Sequence, residues 1–122
     1  MKPLIHAKLS VSKYGGEIGD YLPIHEWFDK SKAIVPDMRH RMMFHHSFGI
    51  YLATDFFGDW FTNSEGRDIA VRDIGEEHIL QDLGFIPTLQ DYFDGLDGEP
   101  AAPIRNWYGG MPKHMRRIEL AD

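Results

Sequence analysis

The sequence predicts a mainly α-helical domain, a compact helical bundle with one β-hairpin between its central helix and the helix that follows. Three observations carry this. An apolar run opens at Val35-Pro36-Asp37 and stops at Gly58, with proline suited to a first helical turn and glycine to a C-terminal cap. Shorter apolar segments close at Gly15-Gly16 and at Gly84. Only Trp60 to Val71 sets turn residues, Asn63 to Gly66, between short apolar and β-branched flanks.

Taken in order, residues 4–14 read as a short helix. Ile5, Ala7, Leu9 and Val11 also alternate like a strand, but the two glycines end a helix better. His6 opens this segment and could face either way. A second helix opens at Asp20-Tyr21-Leu22-Pro23 and runs to about Ala33, with Ile24, Trp27 and Phe28 on its core face. His25 and Asp29 stand four apart and share a face, either as a ligand-and-carboxylate pair or as an exposed surface pair.

The central helix is expected over residues 36–57. At about 100° per residue, Met38, Met42, Gly49, Leu52 and Phe56 gather on one face, with Arg41 and His45 inside the stripe. His40 lies away from that stripe. The helix is apolar nearly all round and so should be central, with His45 buried and Arg41 partly buried. The hairpin, about 60–71, must pack on the helices or on a partner, because two strands alone are marginal. Arg72 to Leu83 is the next helix, with a capping-box-like start at Asp73 and Glu76. His78 and Asp82 repeat the spacing of His25 and Asp29. Pro87-Thr88 begins a last helix to Phe93 or Asp94, capped by Thr88. Residues 94–100 look superficially like a calcium loop but lack its ligand ladder, so they read as a turn-rich loop. One domain is expected over residues 1–122, with a helical body over 4–94 and an irregular C-terminal arm over 95–122.

Composition bounds the chemistry. The 122 residues include no cysteine, so disulfides, thiolate metal sites and a cysteine nucleophile are excluded. A metal would need histidine and carboxylate ligands. The net charge of −6 argues against a dedicated nucleic-acid binder. Charge is uneven, with 12 acidic and 2 basic residues over positions 55–99. No signal peptide or membrane-spanning run is legible, and a cytoplasmic location is the expectation.

The candidate site centres on residues 39–46, which hold three histidines and two arginines. A buried histidine must find partners, and a buried arginine needs an anion. His25, His40, His45 and His78, with Asp29 and Asp82, are the candidate metal ligands, for Zn²⁺, Mn²⁺ or Fe²⁺. Two His-then-Asp pairs beside a His-rich helix suit a metal site in a bundle core. Arg41 and Arg39 are the candidate phosphate-binding catalytic residues.

The combination Tyr21-Leu22-Pro23-Ile24-His25, Arg39-His40-Arg41 with His45, Asn63-Ser64-Glu65-Gly66-Arg67, Val71-Arg72-Asp73-Ile74 with His78, and Asp82 through Thr88 resembles a small uncharacterised domain family of bacterial and phage genomes. The resemblance covers roughly residues 6–90. It implies a stand-alone cytoplasmic domain, such as a phage or mobile-element accessory protein, and no particular activity. The chain is also loosely similar to the His-Asp metal phosphohydrolases, which are helical and draw His and Asp from several helices. Their His-Asp dipeptide is absent, and His45-His46 stands on the central segment instead.

Two functions follow. The first is a metal-dependent hydrolase of a phosphorylated small molecule or nucleotide. It requires histidines from several helices to converge. The second is a non-catalytic accessory or binding protein, forming a homo-oligomer or binding a protein partner, with structural histidines. It requires an apolar surface.

Overall fold

The computed structural model describes residues 1–96. The chain runs α1 (Pro3–Tyr14), α2 (Ile18–Asp29), a 3₁₀ turn Lys30–Ala33, a second 3₁₀ turn Met38–His40, α3 (Arg41–Phe44), α4 (Ser47–Phe57), β1 (Trp60–Thr62), β2 (Asp68–Ala70), α5 (Val71–Leu83) and α6 (Leu89–Leu96). It is the helical bundle with one hairpin that the sequence predicts. The expected C-terminal arm is displaced at its start, since Gly95 and Leu96 belong to α6. The rest of the arm, with most of the calcium-loop-like segment, lies outside the described residues.

α1 is a helix, not a strand. Pro3 occupies its first turn, and the Gly15 N–H closes it on the Val11 carbonyl at 2.8 Å. Its buried face is short and polar for a core face, with His6, Ala7 and Ser10. α2 starts earlier than its sequence suggests. Glu17 and Asp20 form a reciprocal capping box, which leaves Pro23 inside the helix, not at its start. The same Asp20 carboxylate accepts from the Ser64 N–H and hydroxyl at 3.1 and 2.7 Å, tying the hairpin tip to the α1–α2 turn. Asn63 adds bonds to the Tyr21 hydroxyl at 3.1 Å and the Tyr14 carbonyl at 3.3 Å. The hairpin is thus anchored on the helices, as a two-stranded sheet needs. Its register pairs Trp60 with Ala70, Phe61 with Ile69 and Thr62 with Asp68.

The expected single central helix is broken. His45 leaves helical geometry (φ −83°, ψ 63°) and His46 is extended (φ −161°, ψ 172°). His46 caps α4 itself, because its Nδ1 accepts the Gly49 N–H at 3.0 Å. Its Nε2 faces the Met42 and Met43 carbonyls at 3.0 and 3.1 Å, so one imidazole joins the end of α3 to the start of α4. The phase of the expected stripe is lost at this break. Of that stripe Arg41, His45 and Gly49 are buried, but Met38 and Phe56 are exposed, and α4 buries Ile50 and Ala53 beside Gly49.

The core comprises Tyr21, Ile24 and Phe28 of α2, Ile50 and Ala53 of α4, Ile69 of β2, and Val71, Ile74, Ile79 and Leu83 of α5, with Ala7. Gly75 lets α5 approach α2 closely, since a Cβ there would lie 2.9 Å from Phe28 Cζ. Asp73 and Glu76 do not cap α5, whose N-cap position is Ala70 with no side-chain bond. Thr88 does cap α6. Its hydroxyl accepts the Asp91 N–H at 3.2 Å, and Asp91 Oδ2 accepts the Thr88 N–H at 2.8 Å. No helix among the described residues is long and apolar enough to cross a membrane.

Candidate metal centre

Close packing of α1, α2 and α5 beside the break at His45 turns polar side chains inward. Four donors meet there: Asp29 at the end of α2, His45 at the break, and His78 and Asp82 one turn apart on α5. His78 and His45 Nε2 are 3.2 Å apart. Asp82 Oδ2 lies 3.0 Å from His45 Nε2 and 3.4 Å from His78 Nε2. Asp29 Oδ1 lies 3.3 Å and 3.4 Å from the same two nitrogens. His40 Nε2 approaches Asp29 Oδ1 at 3.4 Å, so three imidazoles converge on one carboxylate oxygen. Tetrahedral coordination at about 2.0–2.2 Å places its ligand atoms roughly 3.3–3.6 Å apart. The separations above, 3.0–3.4 Å, lie at or just below that spacing, and the residues could hold a metal ion.

Burial makes the arrangement costly without a cation. The side chains of His45, His78, Asp29 and Asp82 are at most 4% exposed. Neither Asp29 oxygen has a formed hydrogen bond, and His40 Nε2 and His45 Nδ1 also lack partners. A carboxylate so buried normally has its lone pairs satisfied. Burial would raise the pKa of Asp29, but the imidazoles of His40, His45 and His78 outweigh it and hold the group below the usual carboxylate range. Asp82 behaves alike, with burial outweighed by His45 and His6. Burial pushes the His78 imidazole down to about 4 and the His25 imidazole to about 2, with the neighbouring histidines adding to the effect. At neutral pH the site therefore presents carboxylates together with neutral His25 and His78. These are the protonation states that metal ligation requires.

The remaining side chains form a supporting layer. His6 lies against Gln81 Oε1 through Nδ1 at 2.6 Å and against Asp82 Oδ1 through Nε2 at 3.1 Å. It thereby leaves Asp82 Oδ2 turned to the centre. The Met1 amino group is also 3.1 Å from Asp82 Oδ1. His25 Nδ1 is 2.9 Å from His78 Nδ1, and His25 Nε2 is 2.9 Å from Ser10 Oγ. Phe28 stacks on His78 with ring centroids 5.1 Å apart. Tyr92 donates to the His45 carbonyl at 2.8 Å, fixing the break from α6.

Of the residues singled out in the sequence, Asp29, His40, His45, His78 and Asp82 come together at the centre. His25 does not join that group. It stands behind His78 in a second group, His6, His25 and His78, which could also hold a metal ion. The exposed-pair alternative for His25 and Asp29 is corrected, since both are buried. Arg41 is buried, at 5% exposure. Arg39 is exposed and binds Asp37 through a two-pronged ion pair, with contacts of 2.7–3.1 Å. His6, Ser10 and Lys32 belong to the site and were not singled out. The four-residue spacing of His6 and Ser10 marks a shared face. The Lys32 ammonium lies 3.7 Å from Asp29 Oδ2.

A cavity of about 350 Å³ opens beside the centre, lined by Lys32, His40, Arg41 and Asp82, with Pro36 and Met38 as apolar wall. A hollow of about 550 Å³ on the other side of Asp29 and Lys32 is walled by Trp27, Phe56 and Phe57. The smaller cavity alone joins both cationic side chains to His40 and Asp82.

No curated protein and no solved structure matches the chain. A family model described as Domain of unknown function (DUF6915) matches residues 1–102, and the chain belongs to that family.

Proposed function

We propose that the protein is a metal-dependent hydrolase of a phosphorylated small molecule or nucleotide. The observation that carries this reading is the convergence of the His45, His78, Asp29 and Asp82 donor atoms at 3.0–3.4 Å beside a cavity whose lining includes Arg41 and Lys32 together with Asp37 and Asp82. The donor set of imidazole nitrogen and carboxylate oxygen, without thiolate, suits Zn²⁺, Mn²⁺ or Fe²⁺. Such an ion lowers the pKa of bound water toward ~7 and supplies hydroxide at neutral pH. Arg41 and Lys32 line the cavity and would bind phosphate oxygens, Arg41 through its planar fork. His40 stands between the cavity and Asp29, where it would act as a further ligand or exchange a proton with the leaving group. Arg39, paired with Asp37 at the surface, is assigned no part in the step.

The test is release of phosphate from aryl phosphates and nucleoside phosphates by protein loaded with Zn²⁺, Mn²⁺ or Fe²⁺. Activity in the wild type that falls at least tenfold in Arg41→Ala, with the metal still bound, is the expected result. No turnover of either class with any of the three ions would overturn the reading.

A second reading has one observation in its favour. Tyr51, Phe56 and Trp60 are 62–68% exposed, an apolar surface consistent with a non-catalytic binding protein or oligomer with structural histidines. Sedimentation velocity distinguishes a self-associating chain from a monomer.

A further inference from the structure

We propose that the hollow between the ends of α2 and α4 is a nucleobase subsite, so that the ligand of the neighbouring centre is a nucleoside phosphate. The inference deepens the hydrolase reading and rests on it for the phosphate end. The base end rests on the hollow alone.

Trp27, in the last turn of α2, and Phe56 and Phe57, which end α4, wall a hollow of about 550 Å³. That volume lies within the ~300–1,000 Å³ usual for small-molecule sites. The rings are fixed by other rings. Phe44 packs on Trp27 with centroids 4.4 Å apart, and Phe28 meets Trp27 edge-on at 5.0 Å. Phe57 meets Phe56 edge-on at 4.9 Å. Phe56 lies 6.4 Å from Trp27 with its plane tilted by 29°, and it stays 68% exposed. A ring held in place yet left open to water offers a stacking face. Tyr51 and Trp60, which are comparably exposed, line other hollows.

The polar lining selects the class of ligand. Its formal charges cancel, Lys30 and Lys32 against Glu26 and Asp29, so the hollow suits the uncharged end of a molecule. Glu26 and Lys30 are exposed and set an acceptor and a donor beside the aromatic wall. A nucleobase has a π face for the rings and an edge of donors and acceptors for such a pair. A sugar phosphate leaves the rings without a partner, and a plain hydrocarbon leaves the polar pair without one. The charged end has its place next door. Lys32 lines both this hollow and the 350 Å³ cavity, where Arg41 and His40 stand beside the centre. A nucleoside phosphate laid across Lys32 sets its base against Trp27 and Phe56 and its phosphate beside Arg41.

The test is isothermal titration of wild type, Phe56→Ala and Phe56→Tyr with AMP, GMP, CMP and UMP, with and without Zn²⁺. Ribose 5-phosphate is the base-free control, and the base-proton NMR shifts are read alongside. Phe56 is exposed, so its replacement leaves the fold in place. At least one nucleotide should bind the wild type about tenfold or more tightly than ribose 5-phosphate, with its base protons shifted upfield by the rings. Phe56→Ala should lose most of that margin without changing the affinity for ribose 5-phosphate, and Phe56→Tyr should keep it. Equal affinity for all five ligands, no binding of any, or a full margin in Phe56→Ala would overturn the proposal. Base-dependent binding without hydrolysis under Zn²⁺, Mn²⁺ or Fe²⁺ would leave the subsite standing and sink the hydrolase reading. Hydrolysis of ribose 5-phosphate and nucleotides with equal kcat/KM would do the reverse.

Discussion

His45 Nε2 and His78 Nε2 face each other across 3.2 Å, with a carboxylate oxygen on either side of the pair. Two nitrogens facing each other in this arrangement can share only one proton between them, whereas a cation between them uses both lone pairs. The single variants His45→Ala and His78→Ala should each abolish stoichiometric metal binding. The double variant should lose no more than either single one, because the residues act as one unit. Isothermal titration with Zn²⁺ checks this. Retention of wild-type affinity in either single variant would remove the residue from the centre.

Asp29 gives a prediction for each state. In metal-free protein the imidazoles of His40, His45 and His78 outweigh burial and favour its ionised form in the fold, so Asp29→Asn should lower stability at neutral pH by about 1–3 kcal/mol. In the presence of Zn²⁺ or Mn²⁺ the wild type should rise in melting temperature and Asp29→Asn should not. Differential scanning calorimetry with and without metal reads both. A variant that melts with metal-free wild type and gains as much from added metal would remove Asp29 from the centre.

Acid should unfold the metal-free protein through its histidines. Burial depresses His78 to about 4 and His25 to about 2, against an ordinary value of 6.5. Between these folded values and 6.5 the unfolded chain binds protons that the folded chain does not. This part of the stability is therefore present above pH 6.5 and lost as pH falls. Each histidine contributes a slope of about 1.4 kcal/mol per pH unit inside its window. Urea unfolding from pH 7 to pH 4.5 in chelator should show roughly twice that slope near pH 5. A flat profile would mean that the rings are already protonated in the fold.

Gly49 should tolerate no side chain. A Cβ there would sit 1.8 Å from the Phe44 carbonyl oxygen, which is backbone and cannot turn aside. Gly49→Ala should cost about 3 kcal/mol or more, by pushing α3 away from α4 and disturbing the His45 break between them. A variant within about 1 kcal/mol of wild type in urea unfolding would show that the break is pliable.

Much of the frame was legible because it is written in local chemistry. Gly15, Gly58 and Gly84 each follow a helix, and Asn63 to Gly66 turns the hairpin. The His-then-Asp spacing placed His78 and Asp82 on one face of α5, and His25 and Asp29 on one face of α2, which ends at Asp29 and not at the expected Ala33. The break at His45-His46 was not legible, since an imidazole nitrogen rarely serves as a helix N-cap and the residues just before it, Arg41, Met42 and Met43, are good helix formers. The close contact between Gly49 and Phe44 is likewise tertiary. His6 stayed ambiguous and Ser10 carried no signal because α1 buries a polar face, so hydrophobic periodicity says little about which side is inward. Whether His25 ligates or supports depends on ring orientation, which spacing along a helix does not specify.

The most direct test of the central claim is the metal content of untagged protein, purified at neutral pH without chelator and read by mass spectrometry. The account predicts a near-stoichiometric transition metal in the wild type, absent from His45→Ala and His78→Ala. Wild-type protein that carries no metal, takes up no added Zn²⁺, Mn²⁺ or Fe²⁺, and keeps its melting temperature in chelator would contradict it. The buried histidines and aspartates would then be a structural network.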